Sequence, residues 1–253
     1  MPKISAVIVA HNEEKKIGDC LNQLGFVDEI VVVLDKCSDR TKEIVQKYTN
    51  KIIEGSWNIE GQRRNVALNA ANGEWILELD ADERISKELA DEILQKIKNS
   101  KPCAYEVIID NYVGKRLVKF GWVRTLCSID RPILHYRGLK KYNEDREVHP
   151  TIILDCEVNA LENKLTHLMD DNIADLFSRF NRYTTWRAND IISKGKIKKV
   201  GFLKHLLSFK LRFVKSFFVK KGYKEGGLGF VIAILAGLYP LVSYLKAQEK
   251  ISK

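Results

Sequence analysis

The sequence predicts an α/β fold in which a mostly parallel sheet is flanked by helices and followed by a helical C-terminal segment. Three observations carry this. Short β-branched runs alternate with helical patterns through the first hundred residues. Polar, acid-rich clusters at 10–14, 35–41 and 80–83 each follow a strand run. Beyond Asn172 the pattern turns helical, basic and then apolar. Repeated strand–helix units of this length build parallel sheets covered by helices. Such sheets bind ligands beyond the carboxyl ends of their strands.

Taken in order, Ile4 to Ala10 is an apolar run suited to a strand buried on both faces. Asn12 is a candidate cap for the next helix, with Glu13 and Glu14 in its first turn and Ile17, Leu21 and Leu24 at helical spacing. Glu29 to Leu34 reads as a second strand, and Ser38 or Asp39 as the cap of a helix through Tyr48. Lys51 to Ile53 is a brief third strand. Glu60 to Ala71 reads as helix, closed by Asn72-Gly73. Trp75 to Leu79 is a fourth strand that runs into Asp80-Ala81-Asp82-Glu83, and Ser86 caps a helix to about Lys98. From about 104 to 170 the pattern is irregular, with strand-like pieces at Ala104–Ile109 and Thr151–Leu154. The chain therefore divides into segments 1–100, 101–171 and 172–253.

Apolar residues make up 45% and charged residues 30% of the 253, a globular rather than a disordered composition. The net charge of +9 is unevenly placed. Residues 191–224 hold 11 Lys or Arg and no Asp or Glu, which leaves about −2 for the rest. A local basic block implies a local anionic partner, either nucleic acid or anionic lipid. Five cysteines with no C-x-x-C spacing argue against a disulfide framework or a zinc site and fit a reducing compartment. The N-terminal residues show no signal-peptide pattern, so the expected place is the cytosol or the cytosolic face of a membrane.

Asp80 and Asp82 are the sharpest chemical feature. Two carboxylates one residue apart at a strand end suit a hard cation such as Mg²⁺ or Mn²⁺, which prefers oxygen ligands and keeps positions for phosphates and water. A solvated turn before the next helix is the bland alternative. Asp35 offers acceptors to a nucleobase or ribose, or serves as a turn residue. Arg63 and Arg64 face a diphosphate or line a solvated helix face.

Together these residues resemble glycosyltransferase family 2. The resemblance rests on ISAVIVAHNEE, DKCSDRT and GQRRNVALNAANGEWILELDADE, whose order and spacing all match over roughly the first 95 residues. A plain dinucleotide-binding reading is weaker, because no G-x-G-x-x-G follows the first strand. The resemblance reaches further, to the bacterial branch that adds glucose to the lipopolysaccharide inner core. There it rests on YVGKRLVKFGW (112–122), Val148-His149, Leu165 to His167, FNRYTTWRA (180–188) and the basic-then-apolar tail. Two departures stand out: Pro150 follows His149 where that branch has Glu, and Leu34 replaces the first Asp of the loop after strand two.

The resemblance implies a GT-A fold, Rossmann-like, and inverting transfer of a hexose, glucose from UDP-glucose, to the lipopolysaccharide core or another membrane saccharide. It implies a nucleotide-sugar-binding half at 1–100, an acceptor and catalytic-base half at 101–171, and a membrane-associated segment at 172–253. Nucleotide-sugar contacts fall to Ala10, Asn12, Glu13, Asp35, Arg64 and Asp80. A divalent cation, Mg²⁺ or Mn²⁺, falls to Asp82, with Asp80 holding the ribose or a metal-bound water and His167 as a further ligand. A structural histidine is the alternative for His167. The base that takes the acceptor proton is Glu147 or Asp145, which a surface acidic turn would equally contain. Acceptor contacts fall to Trp122, Arg124 and His149, and a core tryptophan is the alternative for Trp122. Transfer to polyprenyl phosphate and a non-catalytic sugar-nucleotide-binding membrane scaffold are the rival functions.

In the tail, Leu203, Leu207, Leu211, Val214 and Phe218 fall on one helical stripe, with Lys and Arg on its flanks. Leu228 to Leu245 is apolar apart from Ser243, close to the ~20 residues a span needs. The stripe and the run predict membrane attachment, by a peripheral or an inserted helix, and the resemblance implies that this is at the cytoplasmic face of the inner membrane. Nucleic acid is not an expected partner, since no recognition motif accompanies the basic block.

Overall fold

The computed structural model describes residues 2–122, 126–144, 150–195 and 202–252. Arg124, Asp145, Glu147 and His149 lie outside the described residues. The chain forms two compact units, Met1–Ile109 with Asp130–Leu168, and Asp110–Ile129 with Met169–Lys253. The stretch 110–129 therefore belongs with the C-terminal helices, whereas a division by sequence alone kept it with the middle segment.

The first unit opens with β1 (Ile4–Ala10), α1 (Ile17–Asn22), β2 (Glu29–Asp35), α2 (Thr41–Val45), β3 (Ile52–Gly55), α3 (Glu60–Ala70) and β4 (Trp75–Asp80). It continues with β5 (Glu83–Arg84), α4 (Lys87–Asn99), β6 (Ala104–Val113), β7 (Arg116–Leu117), β8 (Asp130–Tyr136), β9 (Lys140–Tyr142), β10 (Ile152–Leu154), β11 (Val158–Ala160) and β12 (Leu165–Asp170). Of these, β7 and the last residues of β6 and β12 belong to the second unit. Strand order is β3-β2-β1-β4-β8-β6-β12-β5, with β11 beside β6. β3, β2, β1 and β4 run parallel, while β8 is antiparallel to both β4 and β6. The sheet is thus mixed, with the parallel half at the N-terminus.

Register decides where the chemistry goes. Ala10 sits opposite Leu34, Val9 opposite Asp80, and Asp35 opposite Gly55. The three acid-bearing loops therefore leave the sheet at one edge. β1 is buried on both faces because α1, α4 and α3 cover it, and Ile4, Ile8, Leu34, Leu77 and Leu79 fill the core. Ser86 caps α4 as expected, its Oγ accepting from the Leu89 N–H at 3.2 Å. Asn12 does not cap α1. It sits at φ 55°, its Oδ1 accepts the Ser38 N–H at 2.8 Å, and the helix begins only at Ile17 after a turn closed by the Glu13 carbonyl. A short amide side chain tolerates that left-handed backbone and finds its partner across the loop instead.

In the second unit β7 pairs with the end of β6. The helices are α5 (Ile173–Ser193), α6 (Phe202–Val214), a π-helical turn Lys215–Val219, a 3₁₀ turn Gly222–Glu225, and α7 (Gly226–Ile251). Asn172 caps α5, accepting from the Asp175 N–H at 3.0 Å. Trp122, Leu176, Ile232, Leu235 and Tyr239 share the core. Arg179 holds Asp170 through two hydrogen bonds of 2.9 Å, a bidentate pair that locks α5 onto β12. α7 is long and apolar enough to cross a membrane, yet 44% of its most apolar window is buried within the protein.

Candidate active site

The strand ends of the first unit bring Ala10, Asn12, Glu13, Asp35, Arg64, Asp80 and Asp82 to one region. Cross-loop hydrogen bonds knit it together. The Glu13 N–H donates to Thr41 Oγ1 at 2.8 Å and the Glu14 N–H to Asp39 Oδ2 at 3.1 Å. Asp39 Oδ1 also receives the Thr41 N–H, so one carboxylate fixes both loops. Lys16 Nζ donates to the Leu168 carbonyl at 2.7 Å, and Arg84 Nη2 to the Lys16 carbonyl at 3.0 Å.

Asp35 is buried. Its Oδ1 accepts the Trp57 N–H at 3.0 Å and its Oδ2 receives Arg63 Nη1 at 2.5 Å. His11 Nδ1–H donates to the Asp35 carbonyl at 2.6 Å. Both carboxylate oxygens are thus engaged within the protein, and Asp35 positions Arg63 and the Trp57 backbone.

Asp80 lies between two guanidinium groups. Arg64 Nη2 is 3.3 Å from Oδ1 and Arg131 Nη2 is 3.7 Å from Oδ2. Burial opposes ionisation here, but Arg64 first and then Arg131 outweigh it, and the carboxyl is held well below the usual carboxylate range. Arg64 is itself anchored by Glu60 at 2.8 Å and lies over the Tyr142 ring at 5.5 Å. Arg131 also pairs with Glu83, whose Oε2 accepts the Asp80 N–H at 2.9 Å. Burial pushes Glu83 up to about 7; Arg131 opposes this and Asp80 adds to it.

Asp82 and His167 meet because β12 pairs with β5, placing His167 opposite Glu83. His167 Nε2 is 3.3 Å from Asp82 Oδ2, and both side chains are about a fifth exposed, at 19% and 23%. Half-buried Glu13 is close by. Burial pushes it up to about 7, Asp82 adds to that, and Lys16 opposes it. Negative charge is therefore crowded around Asp82, as a cation-binding corner requires. Among the described residues no group of three or more His, Cys, Asp or Glu forms a ready-made metal cluster. Of the Asp82–His167 pair, the carboxylate is the oxygen ligand a hard cation prefers, and the imidazole beside it offers a nitrogen.

Beneath Arg64 lies a buried polar group that sequence reasoning missed. Glu78 Oε1 takes His135 Nε2 at 3.1 Å and pairs closely with Lys140, while Oε2 accepts from Tyr142 Oη at 2.8 Å. Arg131 was missed too, since the stretch around it carries no periodic signal. Trp122 is 3% exposed in the second unit's core, and its indole N–H donates to the Val118 carbonyl at 2.8 Å. Ring stacking on a sugar needs an open aromatic face, so the core role holds for Trp122 and the acceptor role does not.

Strand order and acidic strand ends match the GT-A fold expected from the sequence. A family model described as "Glycosyl transferase family 2" matches residues 5–163, and the chain belongs to that family. A lipopolysaccharide core biosynthesis glycosyltransferase, LpsC, of Rhizobium meliloti is 26% identical over 99% of this chain and 94% of its own length. An uncharacterized glycosyltransferase of Rickettsia typhi is 25% identical over 98% of this chain and 88% of its own. Among solved structures, Staphylococcus aureus TarS 1–349 in complex with UDP-GlcNAc superposes with a TM-score of 0.50 at 19% identity. That match covers 98% of this chain and 88% of TarS 1–349, and it supports the fold.

Proposed function

We propose that this glycosyltransferase moves a hexose, glucose from UDP-glucose, with inversion onto a membrane-resident saccharide, the lipopolysaccharide core being the preferred acceptor. The observation that carries the reading is the placement of Asp80, Asp82 and Arg64 at the carboxyl edge of the parallel strands. The full-length similarity to LpsC supports the acceptor class. The acceptor hydroxyl attacks the anomeric carbon, the bond to the nucleoside diphosphate breaks, and the acceptor proton passes to Glu147, with Asp145 as the alternative base. Asp80 serves the ribose side of the donor, held in place by Arg64 and Arg131. Asp35 and Arg63 shape the base end with Ala10 and Asn12. Asp82 and His167 would hold a divalent cation, which supplies charge neutralisation for the departing diphosphate. Membrane association at the cytoplasmic face brings the enzyme to its acceptor.

The test is release of nucleoside diphosphate from UDP-, GDP- and dTDP-sugars, with and without Mn²⁺. UDP-glucose with metal should give the highest rate. Asp82→Ala should lower that rate roughly 100-fold or more, since several kcal/mol of charge stabilisation go with it. Preference for a GDP or dTDP donor overturns the donor assignment, and a full rate in chelator overturns the metal.

A further inference from the structure

We propose that α6 and the π-helical turn after it form the docking surface for an anionic lipid bilayer, while α7 stays inside the protein as a core helix. This deepens the membrane-facing half of the proposed function by naming the surface, the mode and the headgroup charge.

The pattern of α6 is apolar on two faces. Its inner face carries Phe209, Phe213 and Phe217, which stack on one another at 6.1 and 5.5 Å, with Phe230 of α7 edge-on to the last two at 5.7 and 5.8 Å. Phe209, Phe213 and Phe217 are half-buried among these rings, while Phe230 is itself exposed. In the outer stripe, Leu203, Leu207, Leu211, Val214 and Phe218 are all exposed, Leu203 at 79%. Eight of the 17 large apolar side chains left exposed among the described residues fall between 203 and 223. Apolar side chains concentrated in one stripe and left in water call for an apolar cover.

Charge says what the cover is. Lys204, Lys210, Lys215, Lys220, Lys221 and Lys224 are all exposed around the same helix and turn. No acid occurs from 191 to 224, and the next one, Glu225, is buried and committed to Arg116 and to the Lys119 and Phe120 N–H groups. A second copy packed face to face would set lysines against lysines. A nucleic acid would answer the lysines and leave the leucines wet. A bilayer with anionic headgroups answers both, the leucines entering the acyl boundary and the lysine stems reaching the phosphates.

α7 is less free: its exposed large apolar side chains are Phe230, Leu245 and Ile251, spread from one end of the helix to the other. Ile232, Ala233, Ala236, Tyr239 and Ser243 are buried in the unit's core. Its glycines are packing notches: a Cβ at Gly229 would come within 1.9 Å of the Gly222 carbonyl, and one at Gly237 within 2.6 Å of the Phe209 ring. Near its end, Lys246 donates to Asn181, Thr184 and Thr185 of α5. Threading α7 through a bilayer would dismantle these contacts.

The experiment is co-sedimentation of the full chain with vesicles of phosphatidylcholine alone or mixed with phosphatidylglycerol. Wild type should bind the anionic vesicles far more tightly and be released by alkaline carbonate. Leu207→Gln/Leu211→Gln and Lys210→Gln/Lys215→Gln should each weaken binding roughly tenfold or more. Both variants should keep the wild-type rate of UDP release from UDP-glucose in solution. Equal binding to neutral vesicles, binding indifferent to both variants, or resistance to carbonate overturns the proposal. So does a wild-type dimer that the leucine variant dissociates without any vesicle binding. Absent UDP release with vesicle binding as described would sink the enzymatic reading and leave the docking surface standing.

Discussion

Asp35, in the proposed donor region, illustrates a carboxylate whose two oxygens are both engaged by the protein itself. One oxygen takes the Trp57 N–H and the other takes Arg63, so removing either partner loosens the same loop-and-helix seam. Asp35→Ala and Arg63→Ala should each weaken UDP binding by roughly tenfold, and the double variant should be little worse than the poorer single one. Residues that act as a unit show coupling of about 0.5–3 kcal/mol in such a cycle. Isothermal titration of UDP into the four proteins measures it, and simple additivity would mean that the two side chains work separately. The position of Asp35 after a strand was legible in the sequence. Its engagement was not, because Trp57 and Arg63 lie 22 and 28 residues away, the first reaching it from the stretch between β3 and α3 and the second through the phase of α3. Arg131 was less legible still: it approaches Asp80 from β8, across the antiparallel seam with β4.

At the scale of elements, α3 is the part whose seating matters most, since it carries Arg63 and Arg64 on one turn. Its first turn passes so close to the strand β9 end that a Cβ on Gly61 would fall 2.3 Å from the Asn143 carbonyl oxygen. Gly61→Ala must therefore displace backbone, at a cost of about 1–3 kcal/mol. The expected result is a lower melting temperature together with weaker UDP binding, although Gly61 has no side chain to offer a ligand. Unchanged UDP affinity in a destabilised variant would show that the arginines hold their places independently of that turn. α4 and α5 were readable because a capping side chain and 3.6-residue periodicity agree over three or more turns; α3 has no side-chain cap and was readable only from its length and its place between two strands. α1 was misjudged at its start, where loop hydrogen bonds overrode capping preference. β5, β7 and β9 have only two or three residues, too few for any period to show.

Over the whole molecule, legibility follows the distance along the chain between partners. The parallel half is built from local strand–helix–strand crossovers, and its alternation of strands and helices was readable from the sequence. The antiparallel half, β8-β6-β12-β5, is stitched from segments far apart, and no single-sequence signal orders it. The two halves meet at Glu78 on β4, where His135 of β8 and Lys140 and Tyr142 of β9 converge on one buried carboxylate. Burial opposes its ionisation, but Lys140 and then His135 outweigh that and hold it well below the ordinary range. Glu78→Gln leaves the Lys140 ammonium buried without its counter-charge, and should cost about 3–5 kcal/mol of unfolding free energy at pH 7. The sign of the pH dependence follows from the depressed value. The stabilisation is complete above the unfolded glutamate value of ~4.3 and is lost as pH falls toward the folded one. Urea unfolding of wild type and variant should therefore show a gap that is constant from pH 7 to about 5 and narrows only below about pH 4. A gap that is absent at pH 7, or that widens in acid, would mean that this carboxylate does not join the two halves of the sheet.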